Sequence, residues 1–157
     1  MQPDVANPLR LVAVDHLVLT VRDPDATFAF YCGILGMEKR SFGNGRVALH
    51  YGATKINVHT HPATVEPRAA TALPGTADIC ITSSLEPGAL ASELATRGAA
   101  IELGPVERTG ARGAMTSFYL RDPDGNLVEI ATYRRDATGL TFALIARRRS
   151  TAPSMSA

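Results

Sequence analysis

The sequence predicts an α+β fold made of two βαβββ modules. Short apolar segments rich in β-branched residues are separated by breakers of Gly, Pro, Asp and Asn, which is typical of strands and turns. Two other segments carry helix start and stop signals. The same order of elements then occurs twice, at residues 12–61 and at residues 76–133, on either side of a proline-containing linker at 62–75.

The first module opens with a predicted strand at 14–21, VDHLVLTV, which contains no Gly or Pro. Asp23 as N-cap and Pro24 at the first helical position then predict a helix over 26–35. Gly36 ends this helix. Three short strands follow, at 37–42, 46–51 and 55–61.

The second module repeats this order. A predicted strand at 76–82 leads to a helix at 86–97, which Gly98 ends. A strand at 100–106 precedes a Gly/Arg-rich segment at 107–113, which we interpret as a loop. The turn signal DPDG separates the last two predicted strands, at 114–120 and 126–132. The tail at 134–157 lacks periodicity, and its end is expected to be disordered.

Composition excludes several classes of protein. The 157 residues are 45% hydrophobic and 20% charged, which is ordinary for a globular chain. With 16 basic and 15 acidic residues, nothing indicates nucleic-acid binding. No apolar run is long enough for a membrane span. Cys32 and Cys80 form no CxxC pair, and without an apparent leader we expect a cytoplasmic protein with free thiols.

Aligning the two copies brings candidate ligands opposite one another. DHLVLT set against ADICIT places His16 opposite Asp78, 62 residues later. INVHTH set against NLVEIAT places His59 opposite Glu129, 70 residues later, which implies an insertion in the second copy. Alternate strand residues point to opposite faces. Each of these four polar side chains therefore falls on the face of its strand that is turned away from the helix.

A face with imidazole and carboxylate groups on rigid strands suits a divalent metal ion. Histidine nitrogen and carboxylate oxygen bind Zn²⁺, Ni²⁺, Mn²⁺, Fe²⁺ or Co²⁺, and the residues do not distinguish among these ions. Two histidines and one carboxylate leave coordination positions open for substrate oxygens. This openness is the mark of a catalytic site and not of a closed structural one.

Three segments carry a family resemblance. VDHLVLTV, FYCGILGM and FYLRDPDGNLVEI resemble the vicinal-oxygen-chelate superfamily, which contains glyoxalases, bleomycin-resistance proteins and extradiol dioxygenases. KINVHTH, PGTADICI and GPVERTGARG resemble its glyoxalase-domain-containing group. The resemblance covers residues 12–133. It implies curved mixed sheets around a cup-shaped site. The 62–75 linker permits the two modules to face each other within one chain or between two chains, and the resemblance favours a homodimer in which module one of one chain faces module two of the other.

The resemblance carries a metal-ligand role onto His16, His59 and Glu129. His61 shares the face of His59 and is its alternative. Asp78 stands where many members have histidine. It is a fourth ligand, a hydrogen-bond partner of a ligand imidazole, or a sign of an altered site. For Cys80, on the same face, packing is the default interpretation.

The function implied is that of a metal-dependent enzyme acting on a small substrate with vicinal oxygens. A glyoxalase-like isomerase or lyase is the first expectation, with Glu129 as the catalytic base. An extradiol-type ring-cleaving dioxygenase and a non-catalytic drug- or metabolite-binding resistance protein are the alternatives. Arg108 and Arg112 are candidates for holding an anionic substrate, and Tyr119 is a candidate wall of the cup.

Overall fold

Two four-stranded sheets, each accompanied by helical segments, form the protein. The computed structural model describes residues 8–133; the predicted disordered tail end lies outside them. In the first module the elements are β1 (His16–Val21), α1 (Pro24–Phe28) continuing into a π-helical segment (Ala29–Ile34), β2 (Glu38–Phe42), β3 (Arg46–Tyr51) and β4 (Thr54–Thr60). In the second they are β5 (Asp78–Thr82), α2 (Pro87–Thr96), β6 (Ile101–Gly110), β7 (Gly113–Arg121) and β8 (Leu127–Tyr133).

The strand order confirms the predicted α+β fold and its internal repeat. The first sheet runs β1-β4-β3-β2 and the second runs β5-β8-β7-β6, so the two modules have the same topology. In each, the first and last strands are parallel neighbours and the remaining pairs are antiparallel. No helix among residues 8–133 is long and apolar enough to cross a membrane.

The helices begin where the sequence predicts. The Asp23 carboxylate accepts hydrogen bonds from the backbone N–H groups of Asp25 and Ala26, at 2.9 and 3.3 Å, which satisfies the first turn of α1. Pro24 and Pro87 occupy the first position of each helix, where no backbone donor is needed. The predicted single helix at 26–35 instead widens into a π-helical turn after Phe28.

The prediction of a loop at 107–113 is wrong. β6 continues through this segment to Gly110, and only a tight turn separates it from β7. Side-chain contacts explain the difference, because the Arg112 guanidinium stacks 4.1 Å from the centre of the Tyr133 ring and the Arg112 N–H donates to the Tyr133 hydroxyl. The second hairpin is therefore longer than its counterpart in the first module.

One hydrophobic core joins the two modules. The inward sides of β1 and β5, represented by Leu19, Val21, Ile79 and Ile81, belong to a single buried cluster that also contains the helix residues. This confirms which strand residues face the helices. The face of each sheet turned away from this core is called the outer face below. It carries His16, Val18, Asn57 and His59 in the first module and Asp78, Cys80, Ser117, Tyr119 and Glu129 in the second.

A buried polar network also connects the modules. The Tyr31 hydroxyl of the first module donates to the Asp122 carboxylate in the turn before β8, at 3.0 Å. The same carboxylate accepts from the Asp124 N–H and from the backbone and side-chain N–H groups of Asn126. Asn126 in turn accepts from the Ala77 N–H at 2.8 Å, which ties the start of β5 to this turn. The DPDG turn thus fixes one module against the other.

Candidate metal site on the outer faces

Glu129 has the most distinctive environment of the predicted site residues. Its side chain lies in the middle strand pair of the second sheet, opposite Cys80 on β5 and Tyr119 on β7. Only 9% of the residue is exposed, yet its Oε1 atom has no hydrogen-bond partner. A buried carboxylate oxygen without a donor costs free energy, because the lost hydration is not replaced.

Cys80 lies against this carboxylate. The pKa of its thiol is raised to about 11, first because surrounding atoms withdraw it from water and then because the Glu129 carboxylate beside it opposes a second negative charge. The side chain of Cys80 still reaches the surface. Asp78 is exposed at the start of the same strand, two residues away on the same face. The second sheet therefore presents two carboxylates and a thiol in one area.

His16 stands at the corresponding position of the first sheet. Its Nδ1 atom lies 2.7 Å from the Asp15 carboxylate, and this contact lowers the pKa of Asp15. With the proton on Nδ1, the imidazole keeps Nε2 free as a lone-pair donor. Carboxylates commonly orient metal-binding histidines in this way. The His16 side chain is 45% exposed, so the free nitrogen is accessible.

The strand pairings change which residue of β4 corresponds to Glu129, by two residues relative to the sequence alignment. Val18 pairs with Asn57 in the first sheet, and its counterpart Cys80 pairs with Glu129 in the second. Asn57, and not His59, therefore occupies the position of Glu129. The parallel is also chemical: Asn57 is 9% exposed and its Oδ1 atom has no hydrogen-bond partner.

His16 on β1 and His59 on β4 lie at opposite ends of this pair of neighbouring strands. His59 pairs with Thr20, whereas His16 pairs with Lys55. Four residues of strand separate the two histidines, which is roughly 13 Å along the sheet. Two imidazoles that each hold an ion at about 2.1 Å cannot span this distance from neighbouring strands. Burial and then the nearby Arg46 lower the pKa of His59, which indicates a neutral imidazole.

A cavity of about 250 Å³ opens beside His59. Its walls come from β1 and β4 on one side and from the linker on the other, with the start of β5 and Asn126 at its edge. The linker contributes mostly small or apolar side chains, including Ala69, Ala72 and Leu73. The linker thus covers one end of the first outer face, which the sequence gave no reason to expect.

The three predicted substrate-binding residues occupy different parts of the second sheet. Tyr119 is the direct cross-strand neighbour of Glu129. The Arg108 Nε atom donates to the Tyr119 hydroxyl at 3.1 Å. Arg112 instead stacks on Tyr133 at the far end of the hairpin. Of the three, Tyr119 is next to Glu129, and Arg108 is linked to that position through the Tyr119 hydroxyl.

Within residues 8–133, no three side chains of His, Cys, Asp or Glu converge closely enough to hold a metal ion in one chain. Strand alternation in the sequence puts Asn57 on the face of His59 and Ser117 on the face of Tyr119, but it did not single out either residue as a site candidate. Both are buried with an unpartnered side-chain oxygen. Their polarity at alternating strand positions was a usable signal, because polar residues on a buried part of a strand require a partner.

Comparison with known proteins agrees with this architecture. The profile described as Glyoxalase/Bleomycin resistance protein/Dioxygenase superfamily matches residues 13–130. The chain belongs to this superfamily. It is 48% identical over 120 residues to the virulence protein STM3117 of Salmonella typhimurium, covering 76% of this chain and 83% of that protein. It is 41% identical over 126 residues to the glyoxalase domain-containing protein RDO1 of Mycosarcoma maydis, covering 80% and 71% respectively.

Several solved structures have the same fold as this chain. The integron cassette protein VCH_CASS1 of V. Cholerae is 46% identical, with a TM-score of 0.76 over 80% of this chain and 98% of that chain. Two more distant structures share the fold alone. They are a lactoylglutathione lyase of Agrobacterium tumefaciens (20% identity, TM-score 0.58, 76% and 92% covered) and TnmS3, an antibiotic binding protein of Streptomyces sp. CB03234 (17%, 0.61, 80% and 97%).

Proposed function

We propose that this protein is a divalent-metal-dependent enzyme that acts on a small substrate with two neighbouring oxygens, as a glyoxalase-like isomerase or lyase. One observation carries the proposal, namely the buried Glu129 carboxylate whose Oε1 atom has no partner. A cation is the natural partner for such an oxygen, since a bound ion replaces the lost hydration. The Asp15-oriented imidazole of His16 is the matching donor from the first module.

The proposed ligands are His16 and Glu129, with Asp78 at the position equivalent to His16. Asn57 occupies the position equivalent to Glu129 and offers its unpartnered amide oxygen to the ion or to the substrate. His59 lines the cavity, and in this proposal it contacts the substrate and not the ion. This single nearby imidazole also disfavours an extradiol site, which needs two histidines and one carboxylate on one ion.

The proposed site is completed by a second copy of the chain. The helix-facing sides of both modules share one core, so the two outer faces are not packed on each other within a chain. A two-fold dimer that places the first outer face of one copy against the second outer face of the other creates two equivalent sites. Each site then combines His16 and Asn57 of one copy with Asp78 and Glu129 of the other.

When bound, the divalent ion acts as a Lewis acid that polarises the substrate oxygens. The residues of the chain supply the rest. Glu129 is the group positioned to take a proton from the carbon next to a polarised carbonyl, and its buried setting excludes competing water. Tyr119, held by Arg108, orients the substrate beside this carboxylate. The cavity next to His59 accepts the remaining, less polar part of the substrate.

Thermal unfolding of metal-depleted protein tests the metal requirement. An ion present at about a hundred times its Kd stabilises the folded state by about 2.7 kcal/mol, which raises the Tm of a chain this size by about 5–11 °C. Zn²⁺, Ni²⁺, Mn²⁺, Fe²⁺ and Co²⁺ are compared. Glu129→Gln should abolish the shift, whereas Glu93→Gln, an exposed residue on α2, should retain it. No shift with any ion, or an undiminished shift in Glu129→Gln, would refute the proposal.

Subunit mixing tests the shared site. A His16→Ala chain and a Glu129→Ala chain each lack one ligand in both sites of their homodimers. A mixed dimer regains one complete site and has one site that lacks both ligands. Isolated mixed dimers that bind one ion each, half the wild-type content, support the arrangement. A monomer that binds the ion tightly, or no recovery in verified mixed dimers, contradicts it.

Non-catalytic binding of a small molecule is the second candidate function. Two observations favour it: the cavity of about 250 Å³ and the exposed apolar side chains of Val18 and Leu103, which are 49% and 47% exposed. TnmS3 shows that this fold serves an antibiotic binding protein. A small aromatic compound that stabilises metal-depleted wild type and Glu129→Gln equally would support sequestration over catalysis.

A further inference from the structure

Cys80 occupies the centre of the second outer face. Its direct partner across the parallel β5–β8 pair is Glu129, and both side chains point away from the core. The thiol is in contact with the Glu129 carboxylate. Cys32, the other cysteine, lies half-buried in the π-helical segment and packs against the core, with no place on an outer face.

The spacing of this pair suits two donors on one ion. In a tetrahedral site, thiolate sulfur lies about 2.3 Å and carboxylate oxygen about 2.0 Å from the ion, so the two donors are about 3.5 Å apart. Cys80 and Glu129 are direct partners on neighbouring strands, which lie about 4.8 Å apart, so two side chains on the same face can bring their donors to this separation. Replacing the thiol proton by a metal ion therefore requires little movement of either strand.

Glu129 provides an independent sign that a ligand belongs here. Glu129 is only 9% exposed, and no donor forms a hydrogen bond to its Oε1 atom. The fully buried Ser117 hydroxyl on the same face is likewise without a partner. Ser117 lies on β7, on the far side of β8 from Cys80, so the unpartnered Glu129 oxygen is the one next to the thiol, and it indicates that this part of the face is arranged around something other than protein.

We propose that Cys80 is a metal ligand, its thiolate sulfur sharing the divalent ion with Glu129. This inference rests on the proposed metal-dependent function and adds a donor to that site. On binding, the Sγ–H bond breaks, the proton leaves to solvent, and a sulfur–metal bond forms, with no change of oxidation state. A soft thiolate donor favours Zn²⁺ and Co²⁺ over Mg²⁺ and Mn²⁺ at this site.

Cobalt spectroscopy tests the added ligand without any assay of activity. Co²⁺ is titrated into the metal-depleted full-length chain, and two signals are recorded. Visible ligand-field bands report that the ion is bound, and a near-ultraviolet charge-transfer band reports a sulfur–cobalt bond. Wild type and Cys32→Ser should show both signals. Cys80→Ser should keep the visible bands and lose the near-ultraviolet band.

The outcomes separate the two proposals. Visible bands without a near-ultraviolet band in the wild type would overturn ligation by Cys80 and leave the metal-dependent function standing. A near-ultraviolet band that persists in Cys80→Ser and disappears in Cys32→Ser would overturn it as well. Absence of both signals in the wild type would overturn the proposed metal function itself. Circular dichroism of each variant verifies that the exposed Cys80 position tolerates the change.

Discussion

Tyr31→Phe probes the polar contact that holds the two modules together. Tyr31 is completely buried, and burial followed by the adjacent Asp122 carboxylate raises the pKa of its hydroxyl, so the group stays a neutral donor. The substitution removes the 3.0 Å hydrogen bond to Asp122. It keeps the aromatic ring, whose edge-to-face contact with Phe30 has a centroid distance of 5.0 Å.

The expected loss is set by what Asp122 retains. Hydrogen bonds to charged groups contribute about 1.5–3 kcal/mol. After the substitution, the same carboxylate oxygen still accepts from the Asn126 amide at 2.7 Å, and the other still accepts two backbone N–H groups. No acceptor is left without a partner, so the lower end of the range applies. We expect a loss of about 1.5 kcal/mol, equivalent to a Tm decrease of about 3–6 °C.

Urea unfolding measures this loss, with Tyr51→Phe as the matched control. Tyr51 is half-buried, and its hydroxyl makes no hydrogen bond among the described residues, although burial also raises the pKa of this hydroxyl. Its substitution should change the free energy of unfolding by less than about 0.5 kcal/mol. Equal effects in the two variants would refute the reasoning, because the loss would then come from the hydroxyl group alone and not from the contact between modules.

Two further predictions concern backbone geometry and protonation. Gly75→Ala should lose about 1–3 kcal/mol more than Gly45→Ala in urea unfolding. Both glycines have positive φ, 76° and 78°, but only at Gly75 would a Cβ approach a backbone oxygen, that of Asp124, at 2.6 Å. NMR titration of metal-free protein should give His59 a pKa below 6.5, rising in Arg46→Gln. Neutral His59 therefore adds stability above pH 6.5, which is lost as the pH falls towards its folded pKa; an unshifted pKa contradicts this.

The sequence was sufficient to predict the fold and the facing of the strands. A strand alternates its side chains with a strict period of two, so Leu19, Val21, Ile79 and Ile81 could be assigned to the core from their spacing alone. The structure confirms that all four belong to the buried cluster. The same period predicted that Glu129 points away from the helices, and this side chain pairs with Cys80 on the outer face.

Register was the part that the sequence did not determine. In KINVHTH, the polar residues Asn57, His59 and His61 alternate, so each satisfies the same facing rule. Which of them lies at the level of Glu129 depends on how β4 pairs with β1, and these strands are separated by the rest of the module. Pairing Val18 with Asn57 settles the matter in the structure. Aligning INVHTH with NLVEIAT placed His59 opposite Glu129, two residues from Asn57, which the strand pairing sets at that level.

The loop prediction for residues 107–113 was wrong for a different reason. Gly and Arg residues there are typical of a loop, and no local pattern predicts a strand. The strand forms because the segment finds partners far along the chain. Arg108 reaches Tyr119 and Arg112 reaches Tyr133, and both tyrosines lie on strands that follow. Tertiary contacts of this kind override local propensity.

Charge on the two outer faces bears on how copies of the chain would pair. The first face carries the neutral or basic groups His16, Lys55 and Asn57, whereas the second carries the Asp78 and Glu129 carboxylates. Two second faces set together would bring four carboxylates into one site, an excess of charge for a single dication. Two first faces would bring no carboxylate from the strands themselves, because Asp15 lies just before β1 and is in contact with His16. When a first face meets a second face, two carboxylates balance one divalent ion and neutral donors complete the site. Electrostatic complementarity therefore favours the pairing of a first face with a second face.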